Sequence, residues 1–139
     1  MFNILRECNS IVSLLCLSAN EIDDECMKQL GEYVQDNEHL EGLWIGGNKI
    51  TDKGIEIISE YLIGNTKLKE LILRDNKGIT DASVQYIVEI AKKSCISAID
   101  VENASISQEK RKEIAEMLLI PNEQREMPTK SNTKSAAKI

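Results

Sequence analysis

The chain has 139 residues, of which 42% are hydrophobic but only 4% aromatic, and its formal net charge at pH 7 is -6. This length and composition fit one folded domain with an aliphatic core, and they exclude a wholly disordered chain. The acidic charge disfavours a nucleic-acid binder, because a protein that holds a phosphate backbone needs a basic face. No stretch approaches the roughly 18 consecutive apolar residues that would span a membrane.

The N-terminus shows no sign of secretion. Residues 1–7 (MFNILRE) contain neither a basic leader nor a long apolar run, and a secretory signal would need both. The four cysteines of such a chain are expected to stay reduced. The sequence therefore predicts a cytoplasmic protein that binds neither a membrane nor nucleic acid.

A repeated pattern, L-x-x-L-x-L-x-x-N, organises most of the chain. It starts at Val12, Leu40, Leu68 and Ile96, so its period is 28 residues. The ninth position is asparagine in three copies and alanine in the fourth: Asn20, Asn48, Asn76 and Ala104. Self-similarity at a fixed period of this length is the signature of a solenoid of stacked units.

A helix is predicted after each strand segment. Apolar residues recur there at spacings of three and four, as on one face of a helix: Met27, Leu30 and Val34, then Ile55, Ile58 and Leu62, then Val84, Ile87 and Ala91. Side chains that can accept hydrogen bonds from the first free amides mark the helix starts: Asp24, Thr51, Asp52, Thr80, Asp81 and Ser107. One strand–turn–helix unit cannot cover its own apolar faces, so the units must stack.

The four copies resemble the leucine-rich repeat family, and residues 48–54 (NKITDKG) are similar to its ribonuclease-inhibitor-like subclass. The resemblance covers residues 12–119. It implies an α/β fold, a short right-handed solenoid with parallel strands on the concave face and helices on the convex face. It also implies a non-catalytic module that binds another protein.

The two ends depart from the pattern. Residues 1–11 match only the helical end of a unit, and we interpret them as an N-terminal cap or a partial repeat. In the fourth unit Arg111 replaces the apolar residue found at Ile55, which gives the last helix the polar outer side of a terminal cap. Residues 120–139 hold both prolines and are rich in Ser, Thr, Asn and Lys, a composition that predicts a disordered, solvated tail.

The repeated asparagines are expected to be structural rather than functional. A buried carboxamide at the turn after each strand can pair with backbone groups that the turn leaves free. The cysteines are not expected to form an intramolecular disulfide, because stacked units separate Cys8 from Cys95 by more than a disulfide can reach. Cys16 is predicted to be exposed on its strand, and Cys26 is predicted to lie in the core.

No residue pattern indicates catalysis. The chain has one histidine, His39, and it has neither a C-x-x-C motif nor a phosphate-binding loop of the G-x-x-x-x-G-K-[ST] type. A zinc site, a Ser-His-Asp arrangement and nucleotide hydrolysis therefore lack support. The acidic run at residues 23–25 is interpreted as a helix cap. We expect no catalytic residue, no cofactor and no metal.

The partner site is predicted on the concave surface. Alternation along each strand turns the third and fifth positions of the pattern outward, and the seventh and eighth follow at the turn. The expected site residues are Leu14, Cys16, Trp44, Glu70, Ile72, Arg74, Asp100 and Glu102. This surface is apolar at one end and charged at the other, and three glycines beside Trp44 are expected to leave its ring open. In the alternative, the N-terminal segment, the tail or a second chain covers Trp44.

These residues predict a protein–protein interaction module as the function. One alternative is a regulator of an enzyme, such as a GTPase activator, for which Arg74 would be the only concave arginine. Others are an actin-filament binding protein and a structural fragment of a longer repeat protein. A fragment could also self-associate through an exposed end of the solenoid.

Overall fold

The computed structural model describes residues 13–125, which form four strand–helix units. The strands are β1 (Leu14–Cys16), β2 (Gly42–Trp44), β3 (Glu70–Ile72) and β4 (Ala98–Asp100). The helices are α1 (Met27–Asp36), α2 (Asp52–Leu62), α3 (Val84–Lys92) and α4 (Gln108–Leu118). Short 3-10 turns precede α1 and α3 and follow α4: Asp24–Cys26, Asp81–Ser83 and Asn122–Gln124.

The strands form one parallel sheet in the order β1-β2-β3-β4. Each strand pairs with the equivalent residues of the next unit, so Leu15 lies beside Leu43, then Leu71, then Ile99. The step between paired residues is the 28-residue period of the sequence. The predicted short α/β repeat solenoid is therefore confirmed.

The core lies between the sheet and the layer of helices. Leu43, Ile45, Leu71 and Leu73 of the two central strand segments are completely buried. The apolar stripe of each of the first three helices packs against them, with these residues no more than 2% exposed: Met27, Leu30, Val34, Ile55, Ile58, Leu62, Val84, Ile87 and Ala91. Among the residues that the structure describes, no helix is long and apolar enough to cross a membrane.

The helix starts differ in one respect from the sequence expectation. The capping side chains are Asp23, Thr51, Thr80 and Ser107, each of which accepts a hydrogen bond from a backbone N–H of the first turn. In the first unit the cap is thus Asp23 rather than Asp24. Asp24 has another use, because its carboxylate reaches the neighbouring unit.

An aspartate at the start of each of the first three helical segments links its unit to the next one. The Asp24 carboxylate accepts hydrogen bonds from the Thr51 backbone N–H, at 2.8 Å, and from the Thr51 hydroxyl. Asp52 binds Thr80 in the same two ways, at 2.8 and 2.7 Å, and also accepts from the Ser83 hydroxyl. A Cβ atom at Gly54 would collide with the Asp24 carboxylate. The glycine therefore leaves room for this link.

The Asp52 carboxylate is adapted to its place in the fold. Burial by itself would raise the pKa of Asp52, but the hydrogen bonds from Ser83 and Thr80 favour the charged form. Their combined effect holds the pKa of Asp52 below its ordinary value. The ionised carboxylate is thus the form that joins the second unit to the third.

The asparagines at the turns form a second link between adjacent units, in addition to the link made by the aspartates. The Asn48 amide donates to the carbonyl oxygens of Leu17, Ile45 and Gly46, and its oxygen accepts from the N–H groups of Asn20 and Ile22. Asn76 is fully buried and makes the equivalent bonds to Ile45, Leu73, Arg74 and Ile50. Asn20 is exposed, and its amide donates to the carbonyl oxygen of Ser18.

Two arginines, Arg111 and Arg125, donate hydrogen bonds to backbone carbonyl oxygens of the fourth unit. Arg111 donates to the carbonyl oxygens of Val101, Ala104 and Ile106, at 2.8 to 3.0 Å. Its guanidinium thus reaches the turn where the first three units carry asparagine. The expectation that Arg111 forms a polar outer side was therefore incomplete, because this half-buried side chain turns back onto its own unit.

The first residues of the predicted tail, 120–125, contact the fourth unit. Arg125 donates to the carbonyl oxygens of Ser94, Ile96, Leu118 and Ile120. These hydrogen bonds hold residues 120–125 against the fourth unit. A guanidinium has five N–H donors and can therefore bind several carbonyl oxygens at once. The predicted cap at residues 1–11 and the rest of the tail, with Cys8, lie outside the described residues.

Candidate functional site on the concave surface

The concave surface is the face of the sheet that points away from the helices. Strand alternation gives it two columns of side chains, and the parallel register aligns each column across the four units. The first column consists of Leu14, Gly42, Glu70 and Ala98, and the second consists of Cys16, Trp44, Ile72 and Asp100. The middle residue of every strand points into the core, as the burial of Leu15, Leu43 and Leu71 shows.

The first two units supply the apolar half of this surface. Leu14 is 41% exposed and Trp44 is 36% exposed, and Cys16, which follows on the strand of Leu14 and pairs with Trp44, is also exposed. Ile72, the next residue in the Trp44 column, is half-buried. Large apolar side chains exposed side by side on a strand face commonly mark a binding surface.

The Trp44 ring is held in place by a neighbour in the third unit. Its indole N–H donates a hydrogen bond to the Glu70 carboxylate. The ring edge lies over Gly42, whose Cβ atom would stand 3.8 Å from the indole nitrogen and 2.9 Å from Leu14 Cδ1. Gly42 is buried. Leu14, Glu70 and the Trp44 ring cover this glycine, while Trp44 itself stays 36% exposed.

A second glycine is covered by the charged half of the surface. A Cβ atom at Gly46 would come within 3.0 Å of the Arg74 Cγ atom and of the Arg74 carbonyl oxygen. Gly46 is buried as well, so the Arg74 side chain lies across the turn of the second unit. This close approach needs a residue without a Cβ atom.

Arg74 is surrounded by carboxylates. Its guanidinium lies 3.0 Å from Glu102, 3.5 Å from Asp100 and 3.4 Å from Asp75. The arginine side chain is 42% exposed, so these ion pairs are in contact with solvent and individually weak. The number of these ion pairs is more informative than their strength, because a single guanidinium pairs with three carboxylates. The charged half of the surface remains net negative.

The turn at the end of each strand has an unusual backbone. Ala19, Gly47, Asp75 and Asn103 occupy the eighth position of the pattern, and their φ angles lie between 59° and 64°. Glycine, asparagine and aspartate tolerate this left-handed region better than alanine does. The Asn103 amide donates to the Asp75 carboxylate at 3.0 Å. These residues therefore form the rim of the concave surface.

Residues 13–125 hold no group of three or more His, Cys, Asp and Glu side chains that could bind a metal. His39 is exposed in the loop before β2. Cys26, expected in the core, is only half-buried. Burial raises the pKa of the Cys95 thiol, which donates to the Leu68 carbonyl oxygen.

The side chains that join the units outside the asparagine column were not predicted from the sequence. The aspartates of the Thr-Asp pairs looked like caps, yet they bind the next unit. A signal was present, because Asp24, Asp52 and Asp81 recur in the same place in successive units. Arg111 gave a weaker signal, since no spacing rule connects it with Val101.

The geometry agrees with comparisons to known proteins. A family model described as "Leucine Rich repeat" matches residues 36–59 and 64–88. Among solved structures, the chain is similar to one described as leiomodin-1 actin-binding site 2, with 19% identity and a TM-score of 0.67. That likeness covers 99% of this chain and 80% of the other. Curated protein sequences give no match.

The two matched segments contain β2 with most of α2, and β3 with most of α3. The first and fourth units share their register and turn geometry. Repeat solenoids use extended concave surfaces to bind other proteins. Residues 36–59 and 64–88 therefore match the leucine-rich repeat family, and the chain has the fold of a short protein-interaction solenoid.

Proposed function

We propose that the concave surface is the partner site and that Trp44 is its central residue. The proposal is carried by one observation, the exposure of Trp44 beside Leu14 and Cys16 in aligned strand columns. Binding energy at interfaces concentrates in a few residues, among which tryptophan and arginine are enriched. Ile72 and the acidic residues Glu70, Asp100 and Glu102 complete the site around Arg74.

We propose that the module acts without catalysis and in the cytoplasm. Cys16, Cys26 and Cys95 are free thiols, which fits a reducing compartment. The 28-residue register and the convex helices also support a place in the ribonuclease-inhibitor-like subclass. An arginine finger is a less favoured role for Arg74, because its guanidinium would have to leave three carboxylates before it could contact a phosphate.

The test compares two residues of equal exposure. Trp44→Ala should weaken partner binding by about 2 kcal/mol, or roughly 30-fold, because the ring supplies the largest apolar area of the site. Ile63, which is also 36% exposed, lies after α2 and outside the concave columns, so Ile63→Ala is the matched control. A pull-down from source-cell lysate with the two variants identifies the partner, and calorimetry then measures its affinity.

Two results would contradict the proposal. Equal losses in Trp44→Ala and Ile63→Ala would place the site elsewhere, and a blue-shifted, quencher-resistant Trp44 fluorescence in the monomer would show a covered ring. Light scattering must accompany the fluorescence, since self-association through an end of the solenoid is still a prediction. A mass that rises with concentration, together with a covered Trp44 ring, would make a second chain the occupant of the surface.

Actin is a second candidate partner. The solved structure that resembles this chain over nearly its whole length is described as an actin-binding site. Co-sedimentation with actin filaments and a pull-down with monomeric actin test this candidate directly. Binding that disappears in Trp44→Ala would unite the two proposals, whereas binding that survives would assign actin to another surface.

A further inference from the structure

We infer that the concave surface accepts a protein segment that carries a large apolar side chain followed, about three residues later, by lysine or arginine. This inference rests on the proposed function and adds the chemistry of the partner. Three features of the surface carry it: its division into two halves, its uneven charge and the distance between the halves.

The charge of the surface is uneven because four carboxylates face one guanidinium. Glu70, Asp75, Asp100 and Glu102 all border the columns or the rim. Among the described residues Arg74 is the cation that pairs with three of them, whereas the Lys77 ammonium donates to the Asn103 carbonyl oxygen at the rim. Arg74 cannot neutralise more than one negative charge. A second cation placed near Asp100 and Glu102 would therefore gain Coulomb energy without displacing Arg74.

One of the two acidic residues keeps an oxygen available for such a cation. The Glu102 side chain is 60% exposed and contacts Arg74 through Oε2, while the Asp100 side chain is 31% exposed and contacts it through Oδ2. Asp100 Oδ1 accepts from the Glu102 backbone N–H at 2.9 Å. Glu102 Oε1 is thus the oxygen best placed to receive an additional donor.

The apolar half is fixed before any partner arrives. Glu70 accepts the indole N–H of Trp44, and this bond restrains the ring against Gly42. A restrained aromatic ring loses little entropy when a second apolar side chain packs on it. The Glu70 carboxylate is thereby committed to the ring, so the cation of the partner belongs at β4 rather than at β3.

The distance between the halves sets the spacing in the partner. Trp44 lies on β2 and Asp100 lies on β4, two strands away in the same column. Neighbouring strands are about 4.8 Å apart, so the two positions are separated by roughly 10 Å. An extended chain rises about 3.3 Å per residue. A segment that crosses the strands from β2 to β4 would therefore place its basic residue three positions after its apolar one.

The test is a selection from a displayed library of random twelve-residue peptides on the full chain. The expected result is a consensus with an aromatic or long aliphatic residue and a lysine or arginine three positions later. The selected peptides should bind about tenfold more weakly to the double variant Asp100→Asn, Glu102→Gln, because their basic residue loses two counter-charges. The matched control, Glu109→Gln with Glu116→Gln, removes the same charge from the exposed side of α4 and should change nothing.

The outcomes separate this inference from the proposed function. Peptides that depend on Trp44 but contain no basic residue, or that bind the two double variants equally, would overturn the partner chemistry and leave the concave site standing. Peptides that ignore Trp44→Ala would overturn both. A selection without enriched peptides would also overturn the inference, because it requires that a short linear segment suffices. Circular dichroism and unfolding midpoints of all variants exclude a folding defect as the cause.

Discussion

Asn48→Ala provides the sharpest test of how the units are held together. The substitution removes an amide that donates to the carbonyl oxygens of Leu17, Ile45 and Gly46, and an oxygen that accepts from two N–H groups. The N–H of Ile22 and all three carbonyls lie in buried surroundings. An unsatisfied buried group costs about 1 to 3 kcal/mol.

The expected loss is smaller than the sum of these costs. The Asn48 residue is 8% exposed, so a water molecule can enter and satisfy some of the groups. We therefore expect a decrease of about 3 kcal/mol in the free energy of unfolding. That loss is a large part of the total stability of a small domain, which is commonly about 5 to 15 kcal/mol.

Asn20→Ala is the matched control, since Asn20 is the equivalent residue of the first unit. Its side chain is exposed and donates only to the Ser18 carbonyl oxygen among the described residues, so we expect a loss of no more than about 0.5 kcal/mol. Urea unfolding followed by circular dichroism gives both values. Equal midpoints for the two variants would refute the structural role of the asparagine column.

Two further predictions concern the other links. The pKa of Asp52 is lowered in the folded state, so its contribution to stability is present above about pH 4 and is lost as the pH falls through the folded value. Unfolding midpoints of wild type and Asp52→Asn should therefore converge at low pH, and a difference that stays constant from pH 7 to pH 2 would contradict this. Arg111→Ala should cost about 2 kcal/mol, because it leaves three carbonyl groups without their donor. Lys112→Ala, on the exposed side of the same helix, should be nearly neutral in the same thermal unfolding assay, and a similar loss in both would refute the cap.

The regular part of this fold could be predicted from the sequence because one short signal is repeated four times. A three-residue strand is too short to recognise alone. Leu71 and Leu73 can be assigned to a strand because Leu43 and Ile45 occur 28 residues earlier in the same pattern. The alternation around them then fixes which side chains reach the concave surface. Parallel register in turn places Trp44 beside Cys16 and Ile72.

The remaining features could not be predicted because they depend on distances between side chains of different units. Whether Asp24 caps its own helix or binds Thr51 is decided by a few ångströms of stacking. The cluster around Arg74 depends on how a long side chain lies across Gly46, and periodicity carries no information on that path. Patterns thus predicted positions on the surface, whereas the partners of each charge required the structure.

The distribution of the links explains why this fold can carry a variable surface. Each pair of adjacent units is joined by the strand ladder and by side chains beyond the ends of the strands, such as Asn48 at the turn and Asp52 at the helix start. None of these links uses the concave columns. Trp44 adds to the stacking one exposed hydrogen bond, to Glu70 of the next unit, so we expect its exchange to leave the fold intact. Its exposure on a surface that the fold does not need is what favours a role in binding.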